Sequence, residues 1–264
     1  MTRLLLVIFF ALLLYACSSR QPDSVASTDD GHSPANAFVS NLEAAHHLVD
    51  FKSHDAVQFD LSLFFGGKQR LLGKVTLATD SGKARIDLDD TTSMIVDGQT
   101  VYYTPSMNPR RVRFDAYTWS YFFLLPYKLS DPGTRWTDYP DKQLNGKAYE
   151  VQQLEFEAGT GDAPDDWYIV YADSNTNLIH AAAYIVTVGK SREEAEEDPH
   201  AIVYGDYTMV EGVPIARSWT FTGYTKADGL TDTLGSAQLT DLKFVDDLPD
   251  DFYSASDQMA TAIE

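Results

Sequence analysis

From residue 56 onward, apolar and polar residues alternate in short runs along most of the chain. In the segment 56–65, apolar residues occupy every second position from Val57 to Phe65, and polar residues such as Asp60 lie between them. This period of two is typical of a β-strand with one buried face. Pairs such as Asp97-Gly98 separate the runs and are typical of hairpin turns. The pattern predicts an antiparallel sheet of about ten to eleven strands. The other predicted strands are 70–79, 84–89, 93–96, 100–104, 148–156, 167–172, 179–188, 201–209, 213–224 and 238–245.

Two segments have the apolar spacing of helices. Apolar residues from Phe38 to Val49 recur every three or four positions, which predicts an amphipathic helix with Ser33 as its cap. The segment 117–127 is apolar nearly all round and contains Pro126 near its end, which predicts a buried helix that stops there. The sequence leaves open whether this second helix is only part of the core or also a lid over an apolar cavity.

The latter part of the sheet has a different pattern. The segment 179–188 is apolar at both its odd and its even positions. A sheet with one face in water shows cleaner alternation. We therefore expect both faces of these strands to be covered.

The first residues predict a targeting segment that is not part of the fold. Arg3 is followed by an unbroken apolar run over 4–14, which is shorter than the roughly 20 residues that span a membrane. Ala16 then precedes Cys17, the single cysteine of the chain. This order resembles the lipobox of a bacterial lipoprotein, which implies cleavage after residue 16 and lipidation of Cys17. The alternative is an ordinary signal peptide whose cysteine is incidental.

The residues after Cys17 indicate the location and the domain boundaries. Ser18 stands where an aspartate would resemble the inner-membrane retention signal, which favours the outer membrane and a domain that faces the periplasm. The segment 17–33 is rich in polar and turn-forming residues, so we expect a flexible tether. A single folded domain is predicted over 34–253, followed by a loosely held tail over 254–264.

Composition and charge exclude some classes of protein. Apolar residues make up 44 % of the chain, which is enough for a sizeable core. The chain has 39 acidic and 20 basic residues, and its net charge is −19. A surface of this charge repels phosphate backbones, so we exclude nucleic acid as a partner.

The sequence contains no recognisable motif for catalysis or for a metal or cofactor. There is no G-x-S-x-G, H-E-x-x-H or correctly spaced phosphate loop. The segment that begins at Asp173 starts like a calcium loop, but Leu178 stands where that loop needs glycine. An enzyme would need a polar cluster that the spacing hides, for example around His180 or His200. We therefore predict a protein that is not an enzyme and has no metal or cofactor, and whose many apolar residues suit an apolar ligand.

Four further segments resemble those of a known family. They are 95–102, 172–179, 207–216 and 248–252, which contain the runs IVDGQTVY, ADSNTNLI, YTMVEGVPIA and LPDDF. In their order and spacing they resemble the LolA/LolB-like superfamily of outer-membrane lipoprotein sorting, over the range 34–253. The resemblance implies a mainly β (α+β) fold, a curved antiparallel half-barrel whose open side is plugged by helices. Its concave apolar face would hold acyl chains.

The resemblance also implies which residues would bind the ligand. These residues are Phe59, Leu61, Leu63, Tyr103, Trp119, Phe122, Phe123, Leu125 and Ile185. The expected protein is thus a periplasmic lipoprotein, anchored in the outer membrane through lipidated Cys17. It would bind a lipid, or the acyl chain of a lipoprotein, in an apolar cavity. The alternative is a structural or protein-interaction lipoprotein of the envelope with a filled core.

Overall fold

The computed structural model describes residues 36–140 and 142–262. The predicted targeting segment, Cys17, the tether and the Ser33 cap lie outside these residues. The helices are α1 (Ala37–Ala45), α2 (Leu48–Phe51), α3 (Pro109–Leu124) and α4 (Arg192–Glu196), and a short 3-10 helix (Leu125–Tyr127) follows α3. The strands are β1 (Ala56–Phe65), β2 (Lys68–Ala78), β3 (Lys83–Asp87), β4 (Ser93–Asp97), β5 (Thr100–Tyr103), β6 (Thr134–Asp138), β7 (Gln143–Leu144), β8 (Lys147–Ala148), β9 (Glu150–Phe156), β10 (Tyr168–Ala172), β11 (Ile179–Tyr184), β12 (His200–Val210), β13 (Val213–Thr225), β14 (Gly229–Val245) and β15 (Ala260–Ala262).

Thirteen of the strands form one antiparallel sheet. Its order is β15-β5-β4-β3-β2-β1-β14-β13-β12-β11-β10-β9-β6, and β7 and β8 form a separate hairpin. The predicted count of ten to eleven was therefore too low. The prediction missed β6 and β15, because β6 is mostly polar and β15 has only three residues.

The sheet is strongly curved and does not close. Its edge strands, β15 and β6, do not pair with each other. Helix α3 contacts β4 and β5, which lie near one edge of the sheet. On its other side, Tyr121 packs on Tyr168 of β10 and Phe122 packs on Tyr184 of β11. One helix can reach strands so far apart in the order only if the sheet bends around it, so α3 plugs a half-barrel as expected.

Helix α3 starts earlier than its apolar pattern predicts. Asn108 caps it by accepting a hydrogen bond from the N–H of Arg110, and Pro109 fits the first turn. The first two turns include three arginines, so this part of the helix lacks the apolar pattern on which the prediction was based. Farther along the helix, Trp119 and Phe123 are buried in the core. The regular helix gives way to a 3-10 helix at Leu125, next to Pro126.

The first helix is shorter than predicted, and the difference has a tertiary cause. Helix α1 ends at Ala45, and His47 has a left-handed backbone with φ of 53°. The buried ring of His46 accepts a hydrogen bond at Nε2 from the N–H of Ile179, at 3.1 Å. This contact fixes the turn, and the break leaves Val49 83 % exposed instead of packed in the core.

Apolar side chains form a core on each face of the later strands. On β10, Tyr168 and Val170 belong to the large inner core, whereas Ile169 and Tyr171 belong to a smaller outer core. Helix α4 and the β7–β8 hairpin contribute Ala195 and Leu144 to that outer core. The expectation that both faces are covered is confirmed.

The C-terminal residues are held more firmly than the sequence predicts. Strand β15 pairs with β5 in the register Ala260 to Tyr103. Ala262 is 8 % exposed and packs in the inner core. The predicted loose tail is therefore wrong for these residues.

Candidate functional site

A cavity of about 420 Å³ lies between α3 and the two arms of the sheet. Its walls combine residues that are far apart in the sequence. Ala84 and Val96 come from strands β3 and β4, and Tyr168, Tyr184 and Val186 come from β10, β11 and the residues just after β11. The curvature of the sheet brings these walls together, and α3 covers the space between them.

Pairs of aromatic rings, tilted against each other, form the walls of this cavity. The ring centroids of Tyr121 and Tyr168 are 5.3 Å apart, and those of Phe122 and Tyr184 are 4.9 Å apart. Tyr204 donates a hydrogen bond to the carbonyl of Phe122 at 2.8 Å, which holds α3 on the sheet. Burial raises the pKa of the Tyr121, Tyr168 and Tyr184 hydroxyls well above the ordinary value of 10, so they stay neutral.

The cations at the cavity are paired with other groups. Arg113 donates from Nε to Asp162 Oδ1 at 2.8 Å and from a terminal nitrogen to the carbonyl of Gln99 at 3.1 Å. Its guanidinium also lies 5.0 Å from the ring centroid of Tyr117. Lys128 pairs with Asp131. Lys83, which also lines the cavity, lies 3.9 Å from Asp97. Because these cations have acidic partners, the interior offers mainly apolar contacts to a ligand.

One carboxyl group at the cavity has an altered acidity. Oδ1 of Asp166 accepts hydrogen bonds from the N–H of Thr187 at 2.8 Å and from its hydroxyl at 2.7 Å. Burial raises the pKa of Asp166 from 3.8 to about 6, although the Thr187 hydrogen bonds act in the opposite direction. Asp166 follows Asp165, and such pairs are typical of turns, so this environment could not be predicted from the sequence.

The residues that the resemblance assigned to the ligand mostly lie in the packed core. Phe122 lines the cavity. The residues that pack in the inner core without lining the cavity are Phe59, Leu61, Leu63, Tyr103, Trp119, Phe123 and Leu125. Ile185 belongs to the outer core, so its predicted place on the concave face was wrong. Because its neighbour Tyr184 faces inward, the alternation of a strand turns Ile185 outward.

The described residues show no centre for metal or histidine chemistry. Within 36–140 and 142–262, no three His, Cys, Asp or Glu side chains lie close enough together to hold a metal ion. His180 stacks on Tyr149 and His200 lies 4.0 Å from Asp198, and neither residue lines the cavity. In the same part of the chain, none of the helices has the length and apolar character needed to cross a bilayer.

Comparisons with known proteins identify the fold. Residues 50–227 match DUF6503, a family of unknown function. No curated protein sequence matches the chain significantly. A LolA superfamily protein from Nitrosomonas europaea has a similar structure, with a TM-score of 0.53 and 10 % identity over 81 % of this chain and 97 % of that one. An outer membrane lipoprotein-sorting protein domain from Vibrio parahaemolyticus gives 0.51 and 11 %, over 82 % and 97 %. The resemblance to the LolA superfamily is thus confirmed for the fold.

Proposed function

We propose a function for this chain, which belongs to DUF6503, a family of unknown function. The protein binds the apolar chain of a lipid or lipoprotein in the cavity between α3 and the sheet. The observation that carries this proposal is the apolar cavity of about 420 Å³. Its size falls within the roughly 300–1,000 Å³ of small-molecule sites. The protein is then a binding protein and not an enzyme.

The chemistry of the cavity supports an apolar ligand over a polar one. The rings of Tyr121, Phe122 and Tyr168 offer large apolar surfaces, and the nearby cations Arg113 and Lys128 already have partners. Burying an acyl chain contributes roughly 0.8 kcal/mol for each methylene group. The similar domain from Vibrio parahaemolyticus is described as lipoprotein-sorting, which agrees with this class of ligand.

The test fills the cavity and measures ligand binding. Val186 lines the cavity and is only partly buried, so Val186→Trp should place its ring in the cavity without disrupting the core. We expect this variant to bind cis-parinaric acid, a fluorescent fatty acid, at least about tenfold more weakly than the wild type, a loss of ~1.4 kcal/mol. Val49→Trp is the matched control, because Val49 is 83 % exposed on α2.

Two results would contradict the proposal. One is wild-type protein that neither binds the fluorescent fatty acid nor releases a lipid into organic solvent. The other is equal affinity in Val186→Trp and Val49→Trp. Either result favours the alternative, a structural or interaction protein whose apolar residues serve only as core. The packing of Phe59, Trp119 and Phe123 is the observation that favours that alternative.

The proposed location is the outer membrane, on its periplasmic face. The apolar run over 4–14 and the Ala16-Cys17 pair support cleavage and lipidation at Cys17. An acyl anchor would hold the domain at the membrane, where lipid ligands are found.

Replacing the anchor residue tests this location. We expect Cys17→Ser to move the protein from the membrane fraction to the soluble fraction of cells, because the thiol that carries the lipid is lost. Mass spectrometry of the wild-type N-terminal peptide should find Cys17 with attached acyl chains. An unmodified Cys17 in the mature wild-type protein would contradict the anchoring.

A further inference from the structure

Strand β2 extends well beyond its neighbour β3. It runs from Lys68 to Ala78, but its pairing with β3 begins only at Lys74, opposite Asp87. At Gly73 the end of β3 passes so close that an added Cβ would lie 2.5 Å from the carbonyl oxygen of Asp87. In the part of the chain that the structure describes, β1 is the one strand that pairs with residues 68–72, and the register shifts at Arg70. One edge of β2 therefore has backbone N–H and C=O groups without a strand partner.

The space beside this edge is large enough for another segment of chain. An open groove of about 420 Å³ lies between residues 69–72 of β2 and the start of α3. We call it the notch. Leu88, Met94 and Met107 give it an apolar lining, and Leu72 at its border is 57 % exposed. The notch lies on a different face of α3 from the cavity described above, because the two spaces share none of their lining residues.

The border of the notch is basic, although the chain as a whole has a net charge of −19. Arg70 crosses to Asp115 at 2.5 Å. Arg111 lines the notch and is exposed, and the charge of Asp115 also acts on it, but Asp115 already pairs with Arg70. Arg111 also lies in the first turn of α3, where the helix dipole disfavours a cation. Two arginines at the notch thus share one carboxylate, and the excess positive charge favours an acidic ligand.

The unpaired backbone indicates which kind of acidic ligand fits. A ligand that covers these N–H and C=O groups must replace their hydrogen bonds to water, which an acyl chain cannot do and an extended peptide can. A second copy of this edge would bring Lys68 and Arg70 against the same residues, and like charges oppose such pairing. An acidic peptide from another protein satisfies both the backbone and the charge.

We propose that the notch binds an extended acidic segment of a partner protein, which adds to β2 as a further strand along residues 68–72. Five residues of an extended strand cover ~17 Å. Apolar side chains of the segment contact Leu72 and Met107, and a carboxylate pairs with Arg111. The inference does not depend on the ligand cavity.

The test uses a blocked peptide of alternating valine and glutamate residues. Hydrogen exchange followed by mass spectrometry should show slower exchange in the segment 68–72 when the peptide is present. We expect Arg111→Glu to weaken binding of this peptide about tenfold or more, since it replaces attraction by repulsion. Arg217→Glu is the matched control, because Arg217 is exposed on β13 and outside the notch. It should change the affinity by less than about twofold.

Several outcomes would overturn the proposal. They are no binding at millimolar peptide, equal losses in Arg111→Glu and Arg217→Glu, and unchanged affinity for a peptide with methylated backbone nitrogens. Protection of residues 68–72 by dodecyl phosphate but not by the peptide would make the ligand an anionic lipid instead. Val186→Trp, which fills the other cavity, should leave peptide binding intact, so failure of this proposal and failure of the lipid site can be told apart.

Discussion

Trp119→Ala is expected to lower the free energy of unfolding by about 3–5 kcal/mol. Trp119 is 5 % exposed, and its ring centroid lies 5.8 Å from that of Phe221 and 6.1 Å from that of Phe122. Its Nε1 also donates to Asp115 Oδ1 at 3.0 Å. Alanine removes these contacts and leaves a void at the point where α3 meets the sheet. Urea denaturation measures the loss, and Trp119→Phe should lose less because it keeps one aromatic ring.

The same variant separates the core from the ligand site. Trp119 does not line the cavity, so folded Trp119→Ala protein should bind cis-parinaric acid about as well as the wild type. Val186→Trp should give the opposite result, with weaker binding and little loss of stability. Loss of fatty-acid binding in well-folded Trp119→Ala protein would show that the ligand reaches the core around this residue, contrary to the assignment.

Asp166→Asn is expected to raise the free energy of unfolding above that of the wild type, and to raise it more at pH 8 than at pH 4. The pKa of Asp166 is raised from 3.8 to about 6, chiefly by burial. Between these values the folded protein binds more protons than the unfolded chain, so the stability of the wild type falls as the pH rises. The full difference corresponds to about 2–3 kcal/mol above pH 6. An amide cannot ionise, and its oxygen can still accept the Thr187 hydrogen bonds, so the variant avoids this loss.

Urea denaturation at pH 4 and pH 8 tests this prediction. The gain from Asp166→Asn over the wild type should be small at pH 4 and near its maximum at pH 8. Asp165→Asn provides the control, since Asp165 is exposed beside it and should alter stability by less than about 0.5 kcal/mol at either pH. Equal effects of Asp166→Asn at both pH values would contradict the buried environment of this carboxyl group.

The buried His46 changes the stability of the protein in the opposite direction over part of the same pH range. Burial, with a smaller effect of His47, lowers the pKa of His46 from 6.5 to about 3. Between these values the unfolded chain binds more protons than the folded protein, so His46 makes stability rise with pH. The wild-type protein should therefore show only a shallow dependence between pH 4 and 6. Asp166→Asn should reveal a steeper loss of stability on acidification.

The sequence predicted the architecture well, because alternation reports directly on strands. It found eleven strands of the main sheet and the plugging helix, but alternation fails where a strand is short or mostly polar, as in β6 and β15. The end of α1 could not be predicted either. It depends on the hydrogen bond between His46 and Ile179, which are distant in the sequence.

The ligand site was harder to predict than the fold, for two physical reasons. Strand β11 is apolar on both faces, so the pattern could not show that Ile185 points away from the concave face. Apolar periodicity also identifies residues that leave water, but it does not tell which of them touch a cavity. Phe122 lines the cavity whereas Phe123 packs in the inner core against Phe59, although Phe122 and Phe123 are neighbours on one helix.

The pairing of β1 with β14 constrains the order in which the protein can fold. These strands lie side by side in the middle of the sheet, and Ala56 is opposite Val245. The hairpins on either side can form early from local contacts, but β1 and β14 can pair only after β14 has been synthesised. Such long-range pairing is typical of slow folding, on the scale of milliseconds to seconds. During that time the chain consists of two partial sheets with unpaired edges, the state in which aggregation is most probable and a chaperone is of most use.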